Sequence, residues 1–402
     1  MPNILLYIPP PFKDSGGLGN FKLFFDICKK LGYSIYFCPL LKNITSLNFN
    51  TPFNDRDIES ISHSELINYY INCPAAIEYI HPNDIVTPTI LIARNNVVIY
   101  PEDVIGNPAQ QAYVVRWLFY FPIPTAIQYY NFNNDYIWFY SDYIYNFYKY
   151  VCIACGMSDN LTNNLKEINV CRVFKFEPDV YANIVRKPSL SQTNMENNNK
   201  CFTLRKLFPP VSFDSFNKGV NVNYGKEILQ IYKNKINDLE KKIQDNDSPV
   251  YRSNYIDELN MLTKNKPDLK SNLVIREFLK YKFKSIGYEH IEHQPSSIVF
   301  MNYFKTKDYF LTFDPFTFMS IIASLSGCVS VIKKIWGLNF KDWVNGDPFN
   351  KYGVAYGNEG VKHALETHHL LLPHITEMYN QNENNVLNFI TSIETRFNIT
   401  IN

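Results

Sequence analysis

No stretch of this sequence approaches the ~20 consecutive apolar residues that a membrane span needs. The most apolar segment, Val114 to Tyr130, is interrupted by Arg116, Pro122 and Pro124 and reads as a strand and a loop. Asp135 to Val151 is rich in Tyr and Phe but broken by Asp142 and Lys149. It reads as core or packed surface, with a peripheral membrane contact as the alternative. An excess of either charge is also missing: 39 basic residues face 38 acidic ones, for a net +1. This excludes a nucleic-acid-binding surface spread over the whole protein. Cysteine is sparse, with eight in 402 residues and a single Cys-x-x-Cys at Cys152 and Cys155. Without a second such pair, buried reduced thiols are expected rather than zinc ligands. Met1 to Ile8 has neither the basic region nor the long apolar stretch of a signal peptide, so a cytoplasmic location is expected. No G-x-S-x-G elbow, Walker loop or H-E-x-x-H occurs, and no repeat of 20–50 residues.

What is present is an ordinary globular composition, 46% hydrophobic and 19% charged. Asn, Ile, Lys, Tyr and Phe are abundant together, as biased codon usage would produce, so the 29 Tyr and 30 Phe do not by themselves signal binding. A single hydrophobic core stops growing at about 250–300 residues, so 402 residues predict two domains.

The opening is a β-α-β unit: a strand at Asn3–Ile8, a turn with Gly16-Gly17-Leu18-Gly19, then a helix. Phe21, Phe24, Phe25 and Cys28 recur on one face of that helix. Leu31-Gly32 ends it, and Ser34–Cys38 is the next strand. Further strands are expected at Thr89–Ala93, Val97–Tyr100, Tyr136–Tyr140, Val151–Ala154 and Arg172–Phe176. The polar stretch Ser189–Lys200 reads as a linker. A second α/β unit begins with the strand Cys201–Leu204, carries a lysine-rich helical insertion at about 212–284, and resumes at Ser297–Met301, Tyr309–Phe313 and Cys328–Ile332. A short strand Gly353–Tyr356 and helices at about Glu359–Tyr379 and Asn385–Arg396 close the chain. The domains expected are therefore 1–195 and 196–379, with the helix at about 380–402 packing back on the first.

Ligands of such sheets bind at the carboxyl ends of the strands. Three segments fall there. Gly16 and Gly17 let backbone amides approach a phosphate ahead of a helix, or merely turn the chain. Arg205 and Lys206 end the strand that opens the second domain; they fit either a diphosphate grip or a solvated strand end. The third segment runs from Tyr309 through Asp314, Thr317, Phe318, Ser320 and Ala323 to Gly327 and Ile332. There a strand ends near an acid, a helix follows with Asp314-Pro315 as its expected cap and first turn, and Gly327 turns into another strand.

This third segment resembles the donor-binding motif of GT-B glycosyltransferases, particularly the glycosyltransferase-4-like group. Asp314 matches the family's first motif acid, which faces the donor sugar; Ala323 and Gly327 match its helix and turn positions. Gly16-Gly17 match its N-terminal loop, and Arg205 and Lys206 its diphosphate-binding cations. Tyr100-Pro-Glu102 with Gly106-Asn107-Pro108 is similar to enzymes of bacterial and large-DNA-virus surface-polysaccharide clusters. The resemblance implies an α/β protein with two Rossmann-like domains facing across a cleft. It would take a UDP- or GDP-linked sugar as donor and a glycan or other hydroxyl acceptor, with no cofactor and no metal. The two Asp-x-Asp matches, Asp55-Arg-Asp57 and Asp245-Asn-Asp247, lie in polar stretches with no strand leading in.

One position departs from the pattern. The family's second acid, which grips the ribose, is replaced by Ile322, leaving Thr317 or Ser320 for that contact. Asp14, Glu102 and Asp142 stand near strand ends as candidate general bases, with Glu102 preferred; a plain loop carboxylate is the alternative for it. A nucleotide-sugar epimerase on the same fold, and a glycosyltransferase relic that only binds nucleotide or glycan, remain as rival functions.

Overall fold

In the computed structural model, the described residues are 1–8, 16–39, 80–119 without 103 and 105, 130–145 without 132, 133 and 143, 169–188 without 175, 177 and 184, 200–203, 237, 240–245, 284, 287–291, 297–334 without 315 and 316, and 340–401. They form two compact units. Unit 1 comprises Met1–Asp179 with Pro373–Asn402, and unit 2 comprises Val180–Leu372.

Unit 1 is built on β1 (Ile4–Ile8), β2 (Ile35–Pro39), β3 (Val97–Tyr100), β4 (Tyr113–Leu118) and β5 (Tyr136–Phe139). All pair in parallel, in the order β2-β1-β3-β4-β5. Parallel strands are covered on both faces, and β1 accordingly buries Ile4, Leu5, Leu6 and Tyr7 completely. One face is covered by α1 (Gly16–Lys30) and by α8 (Asn382–Phe397). Trp117 of β4 lies between them, with ring centroids 5.2 Å from Phe24 and 5.5 Å from Phe389. Lys30 of α1 also pairs with Glu383 of α8.

Unit 2 contains β6 (Lys200–Thr203), β7 (Tyr288–His290), β8 (Tyr309–Thr312), β9 (Val329–Ile332) and β10 (Val354–Tyr356). These too are all parallel, in the order β10-β9-β8-β6-β7. Read from its other edge, this is the same second-first-third-fourth-fifth order as unit 1. The short helix α3 (Pro178–Ala182) precedes β6 in the chain, and the helices α4 (Ser297–Phe304), α5 (Phe318–Leu325), α6 (Phe340–Gly346) and α7 (Val361–Asn380) connect and follow these strands. Of the expected insertion at 212–284, residues 237, 240–245 and 284 are described, all helical.

Several local expectations are corrected. Thr89–Ala93 is not a strand but the short helix α2 (Pro88–Ile92): Thr87 caps it, accepting from the Ile90 N–H, and Pro88 supplies its first turn. Ser297–Met301 is likewise helical, within α4. Both are short apolar runs, whose periodicity does not separate strand from helix. The described residues of Arg172–Phe176 form no strand; Arg172 and Phe174 instead bond their backbone to side-chain amides of α8. Asn382 Nδ2 donates to the Phe174 carbonyl at 3.0 Å and Asn385 Nδ2 to that of Arg172 at 2.8 Å. The expected strand Val151–Ala154 lies outside the described residues.

The helix α7 passes from unit 2 into unit 1 at Pro373, the residue at which unit 1 resumes. Within unit 2, its His368 is buried and donates from Nε2 to the Ser324 carbonyl at the end of α5, at 2.9 Å. Burial lowers the His368 pKa, with nearby His369 and Lys187 acting the same way; the Ser324 bond opposes them. An unfolded histidine takes its proton near pH 6.5. The folded ring does so only at lower pH, so its stability contribution is complete above the unfolded pKa and is lost as pH falls through the folded one. Urea midpoints measured from pH 7.5 down to 5 should therefore fall less steeply in His368→Gln than in the native chain. Parallel slopes would remove His368 from the titration.

Candidate functional site

In a sheet of this order, the direction in which strands are added reverses between the first and third strands, and the crevice at their carboxyl ends is where ligands lodge. Unit 1 places this point after β1 and β3. Residues 9–15, including Asp14, lie outside the described residues. Gly16 and Gly17 are not a loop ahead of the helix, as the sequence suggested, but the first turn of α1 itself. Their amides therefore belong to the N-terminal donors that a helix leaves without internal partners.

After β3 comes Glu102, half-buried and fixed in place. Its Oε2 accepts from the Phe119 N–H, just past β4, at 3.1 Å, and its carbonyl accepts from the Tyr130 hydroxyl. Asp142, beyond β5, is exposed. Beneath this edge, Tyr7 and Tyr100 meet edge-on at 5.0 Å.

The loop that carries Glu102 is held by Arg116, which the sequence had read only as an interruption in an apolar run. Arg116 is 1% exposed and projects from β4 on the face opposite Trp117. Its Nη1 donates to the Val104 carbonyl at 2.8 Å, and its Nη2 to that of Gly106 at 2.6 Å. Its Nε binds Asp135 at 2.5 Å, and its guanidinium lies 4.1 Å from the centre of the Tyr130 ring. Burial pushes the Asp135 carboxyl pKa up, while Arg116 and the Asn131 N–H pull it back. A lone arginine inside a strand of otherwise apolar residues is a sequence signal for such a buried pair.

In unit 2 the corresponding point follows β6 and β8, whose last residues, Thr203 and Thr312, are register partners and both buried. Arg205 and Lys206 lie outside the described residues. Asp314, two residues past β8 as Glu102 is two past β3, is 7% exposed; its N–H donates to Thr312 Oγ1 at 3.1 Å. It is not the helix cap. That role belongs to Thr317, whose Oγ1 accepts from the Met319 N–H at 3.3 Å, so α5 begins at Phe318 rather than beside Pro315. Phe318 is half-buried, edge-on to Phe349. Ser320 is fully buried, and its Oγ has no hydrogen-bond partner among the described residues. Ile322 is buried on the helix stripe. Gly327 adopts φ +97°, and a Cβ there would meet Arg186 Cβ at 2.9 Å, so the turn into β9 requires glycine.

The sequence reading missed a further pair at this edge. Lys334, after β9, forms an ion pair with Glu359, after β10, across Gly357 at φ +70°. The run Gly357-Asn358-Glu359-Gly360 between a strand and a long helix was the available signal. The described cysteines, Cys28, Cys38, Cys171, Cys201 and Cys328, are buried free thiols. Burial pushes the Cys38 pKa up to about 12 and raises the others too, so none is a ready thiolate nucleophile. The Cys152-x-x-Cys155 pair lies outside the described residues. Among the described residues, no helix is long and apolar enough to cross a membrane.

No protein-family profile matches the chain, and no curated protein matches it in sequence. Two solved structures superpose on it over almost its full length. One is the trehalose-6-phosphate synthase OtsA, at 10% identity and a TM-score of 0.41, over 98% of this chain and 99% of that one. The other is a glycosyltransferase from Rickettsia africae, at 11% identity and a TM-score of 0.37, over 99% and 96%. Both superpositions are loose.

The buried pair of unit 1 gives a direct test. Arg116→Met leaves Asp135 buried without its partner, and a loss of about 3–5 kcal/mol in unfolding free energy is expected. Arg116→Met combined with Asp135→Leu should recover most of it. A double variant as unstable as the single one would show that the guanidinium bonds to Val104 and Gly106, rather than the orphaned carboxylate, carry the loss.

Proposed function

We propose that the chain is a GT-B-type glycosyltransferase. It would move a sugar from a UDP- or GDP-linked donor to a hydroxyl of a glycan acceptor without a metal. The observation that supports this reading most is positional. Glu102 and Asp314, the acids marked in the sequence, each stand two residues past the third strand of a parallel sheet, the two sheets share one strand order, and Gly16 and Gly17 open the helix that follows β1 in the chain. Arg205 and Lys206 come two and three residues after the end of β6 in the chain.

In this reading, charge building on the departing diphosphate is offset by Arg205, Lys206 and the amides opening α5 at Phe318. Asp314 contacts the donor sugar. Thr317 and Ser320 replace the missing second acid toward the ribose; because Thr317 already caps α5, Ser320 has the less engaged hydroxyl. Glu102 takes the acceptor proton if transfer inverts configuration. A second reading, a protein that binds nucleotide or glycan without transfer, draws support from Ile322 in the second-acid position.

Three measurements bear on these readings. Added UDP or GDP should raise the melting temperature as ligand exceeds Kd, and EDTA should leave the shift in place. A strict need for Mg²⁺ or Mn²⁺ would argue against the metal-free site. Arg205→Ala with Lys206→Ala should weaken diphosphate binding by an order of magnitude or more, since each charge-assisted hydrogen bond contributes about 1.5–3 kcal/mol. Asp314→Asn should keep stability and diphosphate affinity but lose most turnover of the intact nucleotide sugar. Full turnover in that variant would reduce Asp314 to a structural residue, and no turnover in the native chain, with diphosphate still bound, would favour the second reading.

A further inference from the structure

Unit 1 has a concavity at the other edge of its sheet, away from the strand ends just described. Its volume is about 290 Å³, at the lower end for ligand pockets and large enough for a single sugar ring. Gln111 stands just before β4, and Asn131, Asn134 and Asp135 just before β5, so the cavity opens at the amino-terminal edge; Asn107 and the buried Arg116 complete the polar lining.

Two layers of this lining differ in what they leave available. Asn107 and Gln111 are committed to the fold. Tyr100 Oη donates to Asn107 Oδ1 at 2.8 Å, Asn107 Nδ2 donates to the Gln111 carbonyl at 2.8 Å, and Gln111 Nε2 donates to the carbonyls of Leu91 at 2.9 Å and Ala109 at 2.7 Å. They make a rigid wall. Two residues beside it, Arg94 and Gln110, hold left-handed φ angles of 58° and 49° without being glycine. They are tied in by the Arg94 Nη1 bond to the Ala109 carbonyl and by the Ala112 N–H bond to the Arg94 carbonyl. Strain of this kind persists where surrounding contacts over-determine the backbone, and it concentrates at ligand sites.

The second layer is Asn131, Asn134 and Asp135. Both asparagines are exposed, and each side-chain amide offers donors and an acceptor. Asp135 uses Oδ2 for Arg116 and for the Asn131 N–H, which leaves Oδ1 as an acceptor. The charges in the lining cancel, because the one cation and the one anion are paired with each other. Among the described residues that line the cavity, a phosphate or carboxylate ligand would find no unpaired cation. Hydroxyl groups, each both donor and acceptor, fit this mixture of amides and carboxylate.

We infer that this cavity is a binding site for a neutral sugar unit, held by Asn131, Asn134 and Asp135 against the Asn107–Gln111 wall. The inference is independent of the donor site. It requires no transfer and would stand if the protein proved not to be a glycosyltransferase.

The test uses the full chain and ligand-observed NMR, with glucose, galactose, mannose and N-acetylglucosamine beside their phosphorylated counterparts. At least one neutral sugar should bind, and saturating UDP should not displace it. Asn131→Ala with Asn134→Ala should weaken binding about tenfold or more, as expected for lost hydrogen bonds. Ala112→Trp, which places a large ring on the cavity lining, should abolish it. Both variants change exposed positions, and their melting temperatures should stay close to that of the native chain. Four results would overturn the inference: no neutral sugar bound at tens of millimolar, binding of the phosphorylated forms alone, displacement by UDP, or equal binding in both folded variants.

Discussion

A parallel strand cannot be joined to its neighbour by a tight turn, and it must be covered on both faces. Much of this architecture follows from that constraint. Every connection in the two sheets has to leave one edge and return to the other. All the strand-end loops in which the first residue after a strand can carry chemistry are thereby gathered on a single edge. The same demand for cover explains α8. Its Phe389 closes the Trp117 face of the first sheet, and its asparagines satisfy the backbone of Arg172–Phe174 where no further strand forms.

The shared strand order gives the two units parallel chemistry. In each, an acid stands two residues past the third strand of its sheet: Glu102 in one and Asp314 in the other. Their surroundings differ. Glu102 is bonded to backbone across β3 and β4, whereas Asp314 sits behind a helix that Thr317 caps in its place.

The Arg116–Asp135 pair joins both edges of the first sheet. Removing two charges from water is costly, and such a pair is poor evidence for stability alone. Here the guanidinium also anchors the loop behind Glu102 and forms part of the cavity at the amino-terminal edge. One desolvated group thus organises a strand-end loop on one side and a polar hollow on the other.

Sequence alone determined strands made mostly of apolar residues, such as β1, β3, β8 and β9, and the long C-terminal helices, because burial on both faces or on one stripe leaves a pattern that local reading detects. It also marked Gly16, Gly17, Glu102 and Asp314, since glycine and acid next to a strand end are local features. It failed where a short apolar run fits either helix or strand, as at Pro88–Ile92 and Ser297–Phe304. It could not assign the cap of α5, because Asp314 and Thr317 are both good caps and only the path of the chain after β8 chooses between them. The partner of Arg116, the amides that replace a strand at Arg172, the pairing of Lys334 with Glu359 and the cavity before β4 and β5 were decided by tertiary structure. Each joins residues that are distant in the chain, and hydrogen bonds between such residues leave no period in the sequence.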